Sequence, residues 1–260
     1  DEDVAIISGG QSLIPMMNFR LVEPSTLIDI SKLPELQKIE HLGATLEIGA
    51  GLTYAEIEKS DIVNSIVPLL AYAIEFIAHS AIRNRGTIGG SVALADPAAE
   101  IPALLIALNA TIFLQSRTAH RLISADEFFI GTYETALAPG EIVLKISIPT
   151  INTRYGFYEV TRRHGDYASA GAIITVPERE KTNTQGSRVV LFASTNKPER
   201  ITSLEGTLNR LGQEAISTIS KAKITDSLIN TKLEKDIHNS EQTKFIHSVT
   251  ALKRALEMIK

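Results

Sequence analysis

Two glycine pairs, each flanked by hydroxyl side chains, constrain this chain more than anything else in its 260 residues. The first stands in Ser8-Gly9-Gly10-Gln11-Ser12-Leu13, directly after the apolar run Val4-Ala5-Ile6-Ile7, which reads as a buried strand entering a tight turn. Paired glycines reach backbone angles that other residues resist, and they let a diphosphate approach the amides, with Ser12 as a hydroxyl donor. Alone, such a loop reads more simply as a turn that needs glycine. The second pair, in Arg85-Gly86-Thr87-Ile88-Gly89-Gly90-Ser91, alters that balance, because two small-residue cradles fit a dinucleotide diphosphate held from two sides. Neither loop has the G-x-G-x-x-G spacing or the Walker lysine, so the expected site is neither a Rossmann nor a P-loop site.

Composition removes whole classes of chemistry. There is no cysteine, which excludes disulfides, thiolate nucleophiles, Cys-ligated zinc and Cys-ligated iron–sulfur clusters together. The formal net charge of -4 gives no basic surface bias, so a nucleic-acid role has little electrostatic support. No apolar run approaches the roughly 20 residues that span a bilayer, and Asp1-Glu2-Asp3 lacks the flank of a signal peptide, so a cytoplasmic protein is expected. The six histidines show no metal-ligand spacing, and no nucleophile elbow or catalytic carboxylate pair stands out.

The hydrophobic pattern predicts strands at 4–7, 26–30, 45–48, 110–115 and 142–148, and helices at 69–78 and 101–108. Thr53 with Glu56, and Ser124 with Glu127, have the capping-box spacing that opens a helix. A domain boundary is placed at Pro149. Beyond it, strands at 155–161, 171–176 and 189–194 precede helices, and 177–187 reads as a hairpin tip. Phe245, Val249, Leu252, Leu256 and Ile259 recur on one face of a last helix. Strands followed by helices predict an α+β layer.

Several phrases together resemble the FAD-binding medium subunit of the molybdenum hydroxylases, of the xanthine dehydrogenase, carbon monoxide dehydrogenase and aldehyde oxidoreductase type. They are Ser8-Gly9-Gly10-Gln11-Ser12-Leu13-Ile14-Pro15, Asn18-Phe19-Arg20-Leu21, Ile48-Gly49-Ala50-Gly51, Thr87-Ile88-Gly89-Gly90-Ser91, Ala95-Asp96-Pro97-Ala98 and Arg162-Arg163-His164-Gly165-Asp166-Tyr167-Ala168. They cover nearly the whole chain in the expected order. The resemblance implies an α+β protein. Residues 1–150 would form a p-cresol methylhydroxylase-type FAD-binding domain with two α/β subdomains, about 1–35 and 36–150. Residues 151–260 would form a carbon monoxide dehydrogenase flavoprotein-like domain with an antiparallel sheet and helices. It also implies a strand and helix ahead of the first loop that this chain lacks, hence a truncated or processed start.

The same resemblance implies noncovalent FAD, with Ile7, Ser8, Gly9, Gly10, Gln11, Ser12 and Leu13, and Thr87, Ile88, Gly89, Gly90 and Ser91, against the diphosphate and ribityl chain. Ser8 and Ser91 stand where alanine and asparagine are common, and both stay small and polar. Glu100 would accept a hydroxyl, or be an exposed acid at a helix start. Asp96 would touch the flavin or cap the next helix. Tyr167 would shield one face of the isoalloxazine, or be a strand aromatic in the core. Ile77 and Val143 would pack near the ring or simply in the core. Tyr158 takes the place of a lysine in the xanthine dehydrogenase branch, and of Arg162 and Arg163, on a strand, at most one faces the ligand. The implied function is an electron-transfer subunit between an iron–sulfur small subunit, with its [2Fe-2S] clusters, and an external acceptor. A molybdopterin large subunit would complete the complex, commonly a dimer of heterotrimers. The alternatives are a self-contained flavin oxidase or dehydrogenase and a non-catalytic interaction subunit.

Overall fold

The computed structural model of the chain describes residues 3–178, 185–211, 216 and 218–259. The chain starts with a small βαβ unit. Strand β1 (Val4–Ile7) runs through the first glycine loop into helix α1 (Leu13–Asn18) and returns as β2 (Thr26–Asp29), parallel to β1. The strand expected at Val4–Ile7 forms, but it is not buried: Val4 and Ile6 remain 48% and 47% exposed.

A five-stranded antiparallel sheet follows. Strands β3 (Ile39–Leu42) and β4 (Thr45–Gly49) form its first hairpin. A run of short helices comes next: α2 (Tyr54–Glu58), α3 (Asp61–Ile66), α4 (Pro68–Ile74), α5 (Ser80–Arg83), α6 (Ile88–Leu94) and α7 (Glu100–Ala107). Strands β5 (Thr111–Gln115) and β6 (His120–Ser124), helix α8 (Ala125–Phe128), the short hairpin β7 (Phe129–Gly131) and β8 (Glu134–Thr135), and β9 (Ile142–Pro149) complete this part. The order β3-β4-β9-β5-β6 puts the late strand β9 in the middle. The Thr53/Glu56 capping box forms reciprocally, and Ser124 caps α8 by accepting from the Glu127 amide. Helix α4 stops at Ile74, short of the expected 78, and Ala78 beyond it adopts a left-handed φ of 44°.

The remaining chain builds an antiparallel sheet, β10 (Thr153–Val160), β11 (Ala170–Pro177), β12 (Arg188–Phe192) and β13 (Glu199–Arg200), followed by helices α9 (Thr202–Leu211), α10 (Lys221–Ser227) and α11 (Glu241–Met258). Strands β11 and β12 pair antiparallel, and residues 179–184 of the expected hairpin tip lie outside the described residues. Because side chains alternate along a strand, this sheet serves two cores. Phe157, Ile173, Val190 and Phe192 join the core around β4, β9, α4 and α7. Ala172, Ile174, Val189 and Leu191 face the other way, onto Leu204, Leu252 and Leu256 of the C-terminal helices. Helix α11 ends at Met258, so Ile259 packs on that second core from just beyond the helix. Among the described residues no helix is long and apolar enough to cross a membrane.

Candidate functional site

The second glycine loop is fixed by backbone bonds to the stretch that leaves β4. Tyr54 donates its amide to Gly86 O (3.0 Å), while Ile88 and Gly89 donate to Leu52 O (3.0 Å) and Ala50 O (2.8 Å). Thr87 caps α6 by accepting from the Gly90 amide (3.1 Å), and its hydroxyl donates to Ser8 Oγ (3.1 Å). That last bond joins the two loops side chain to side chain. Gly9 lies against the backbone of Arg85 and Gly86, so closely that no Cβ would fit, and Gly10 has a left-handed φ of 71°. The amides of Gly10, Gln11 and Ser12 take no acceptor among the described residues. Successive unpaired amides of this kind form an anion cradle.

Both loops open onto one cleft of about 520 Å³, within the range of small-molecule sites. The structure brings sixteen of the seventeen expected residues to its walls: Ile7 through Leu13 from the first loop, Thr87, Gly89, Gly90 and Ser91 from the second, and Ile77, Asp96, Glu100, Val143 and Tyr167. Ile88 is the exception. As the first residue of α6, it turns its side chain inward and is fully buried in the core, so only its backbone belongs to the loop.

Alternatives left open by the sequence are narrowed here. Glu100 is not an exposed acid: it is buried, and desolvation, with Asp96 nearby, outweighs its own backbone hydrogen bond and pushes its carboxyl up to about 7. Asp96 accepts from the Ala98 amide (2.9 Å) and from the Tyr133 hydroxyl (3.4 Å). Tyr167 is no core aromatic of a strand. It sits in the loop after β10, 73% exposed at the cleft, with its phenol facing the same Asp96 carboxylate. Arg162 and Arg163 lie in a bend past the end of β10 and both are exposed, so strand alternation does not apply to them.

Other residues at the site escaped the sequence pattern. Tyr54 lines the cleft with its phenol buried and pushed up to about 12, and it bonds to Ser91. Glu141 reaches the cleft while paired with Arg121 (2.8 Å), which, with the Ala138 amide, holds its carboxyl down at about 2. Gly165, at φ 82°, and Asp166 close the same rim. Their only sequence signal is the phrase around Tyr167. Tyr54 and Glu141 have none, since the folds that carry them to the cleft are distant in sequence.

A family model described as the FAD binding domain in molybdopterin dehydrogenase matches residues 1–151. The nicotine 6-hydroxylase medium subunit of Paenarthrobacter nicotinovorans is 37% identical over 242 residues, 93% of this chain and 84% of that protein. The carbon monoxide dehydrogenase medium chain of Hydrogenophaga pseudoflava is 35% identical over 257 residues, 98% and 88% of the two chains. Among solved structures, Hydrogenophaga pseudoflava carbon monoxide dehydrogenase lacking the Mo-pyranopterin moiety superposes with a TM-score of 0.90 at 33% identity, over 100% of this chain and 90% of that one. Quinoline 2-oxidoreductase from Pseudomonas putida 86 gives 0.89 at 33% identity, with the same coverage.

Proposed function

Since the chain belongs to the family of FAD-binding domains of molybdopterin dehydrogenases, and is thus an FAD-binding oxidoreductase subunit, we propose that it is the electron relay of a three-subunit complex. The observation that carries this is the joining of two glycine loops at one cleft, with amides at Gly10, Gln11 and Ser12 that take no acceptor among the described residues. Those amides and Ser12 would hold the diphosphate from one side, and Thr87 to Ser91 from the other. Glu100 and Asp96 would accept hydroxyls, Ile77 and Val143 would supply apolar walls, and Tyr167 would cover one face of the ring and screen it from oxidants. Bound there noncovalently, FAD supplies the exchange between one-electron and two-electron carriers.

On this reading residues 1–150 hold most of the cofactor, and 151–260 brace that part and add Tyr167 to the cleft. With no cysteine of its own, the chain takes electrons from an iron–sulfur small subunit, while substrate chemistry belongs to a molybdopterin large subunit. The complex is a cytoplasmic dimer of heterotrimers that passes electrons to an external acceptor. A test uses the purified chain reconstituted with FAD. Acid precipitation should release all the flavin, and dithionite should reduce it, yet the chain alone should show no hydroxylase or carbon monoxide oxidation activity with a dye acceptor. Flavin retained in the acid pellet would refute noncovalent binding, and turnover of an organic substrate by this chain alone would refute the relay.

A further inference from the structure

Glu159 is a buried carboxyl group with neither oxygen hydrogen-bonded to any described residue. It stands on β10 two places after Phe157, on the face turned toward the first core, and opposite Gly171 of β11. The charge that acts on it is that of Glu100, at the start of α7, and Glu100 lines the cleft. Around Glu100 stand Asp96 from the α6–α7 junction, Tyr54 from α2 and Tyr167 from the loop after β10, none of them a cation. Helix α4, which also packs on β10, brings Tyr72 with Glu75 beside it, acidic again. From α11, Lys244 is committed to Asp236 and to the carbonyls of Ser169 and Ala193. Among the described residues a carboxylate at Glu159 therefore has neither donor nor counter-charge, and burial favours its neutral form.

We propose that Glu100 and Glu159 form a proton-binding pair that takes up a proton when flavin in the cleft is reduced, a coupling that rests on the functional reading above. Burial first, then the Glu100 charge, pushes Glu159 up to about 8, beside Glu100 at about 7, so the pair holds exchangeable protons near neutrality. Its titration belongs to the two groups jointly. Reduction of oxidised flavin by dithionite consumes two electrons and one proton at the ring and leaves one added negative charge in the cleft. That charge raises the proton affinity of the nearby carboxylates. One further proton then enters from water at the open cleft and binds a carboxylate oxygen of the pair, and reoxidation returns it.

The experiment is a flavin midpoint titration across pH on the full chain reconstituted with FAD, wild type against Glu159→Gln, with infrared spectra of the flavin-free proteins alongside. Above about pH 7 to 8, where the oxidised protein's pair has shed protons, the wild-type reduction equilibrium should weaken by up to a further tenfold per pH unit, about 30 mV. The variant should keep only the part of that extra slope that Glu100 alone supplies. The infrared spectrum of the wild type at neutral pH should carry a protonated carboxyl band that is weaker in Glu159→Gln, where only Glu100 remains to supply it. Glu100→Gln, which should also flatten the slope, serves if the first variant does not fold. Equal slopes in wild type and variant, or no protonated carboxyl at neutral pH, overturn the proposal. A chain that bound no flavin would strike the functional reading and the coupling with it, and is told apart by the infrared band, which needs no flavin.

Discussion

Added to Gly89, a methyl carbon would stand 2.5 Å from Ala50 Cβ and 2.6 Å from its carbonyl oxygen, so this glycine is required by the protein's own packing. Gly10 is required by its left-handed φ. Gly90 differs: it is exposed at the cleft, and a Cβ there would meet only Thr87 Oγ1, at 2.9 Å. Gly10→Val and Gly89→Val should therefore abolish flavin binding together with local structure. Gly90→Ala should still fold, since only the Thr87 hydroxyl must shift, yet bind flavin about tenfold more weakly, roughly 1.4 kcal/mol. Fluorescence titration of all three checks this, and normal affinity in Gly10→Val would dismiss the first cradle. Residues of this kind were legible in the sequence because glycine's conformational freedom is a local property. Glu159 was not, because a glutamate between Tyr158 and Val160 in an alternating strand reads as the solvent-facing partner. Only the packing of that face onto the first core reverses that expectation.

Elements held by side-chain clamps rather than by periodicity are the next level. Lys244 of α11 is buried, and its ammonium bonds Ser169 O (2.9 Å), Ala193 O (2.7 Å) and Asp236 (2.7 Å). His247, one turn on, meets Ser169 Oγ at 2.7 Å. Helix α11 thus braces from behind the loop that carries Gly165 and Tyr167 to the cleft. In Lys244→Met both carbonyls lose their donor, each at roughly 1–3 kcal/mol. The midpoint of urea unfolding should fall accordingly, whereas an unchanged midpoint would show the clamp to be idle. Alternation made β9 visible in the sequence, short apolar runs between polar loops made β11 and β12 visible, and capping-box spacing placed α2 and α8. The polar strands β3 and β6 and the two-residue β8 and β13 were not visible, since pairing with neighbours, not their own composition, makes them strands.

For the molecule as a whole, the two raised carboxyls tie stability to pH. Each has an ordinary value of 4.5, and in the native protein they stand at about 7 and about 8. Over that interval the native state binds more protons than the unfolded chain, so stability is greatest below it and falls as pH rises through it. The slope is at most about 1.4 kcal/mol per pH unit for each group. Denaturation midpoints of the flavin-free chain should decline from pH 5 to 8, and Glu159→Gln should flatten the decline; a midpoint rising over that range would contradict the burial of both groups. The sheet whose faces belong to different cores bears on how such a protein can be recombined with its relatives. A hybrid joining residues 1–151 of this chain to the remainder of a distant relative would receive foreign side chains at positions 157, 168, 173, 190, 192 and 193, in the middle of its own flavin-side interior. Inheritance of the cofactor half therefore travels with six residues that lie outside it, and hybrids should refold only when those six come from the same parent.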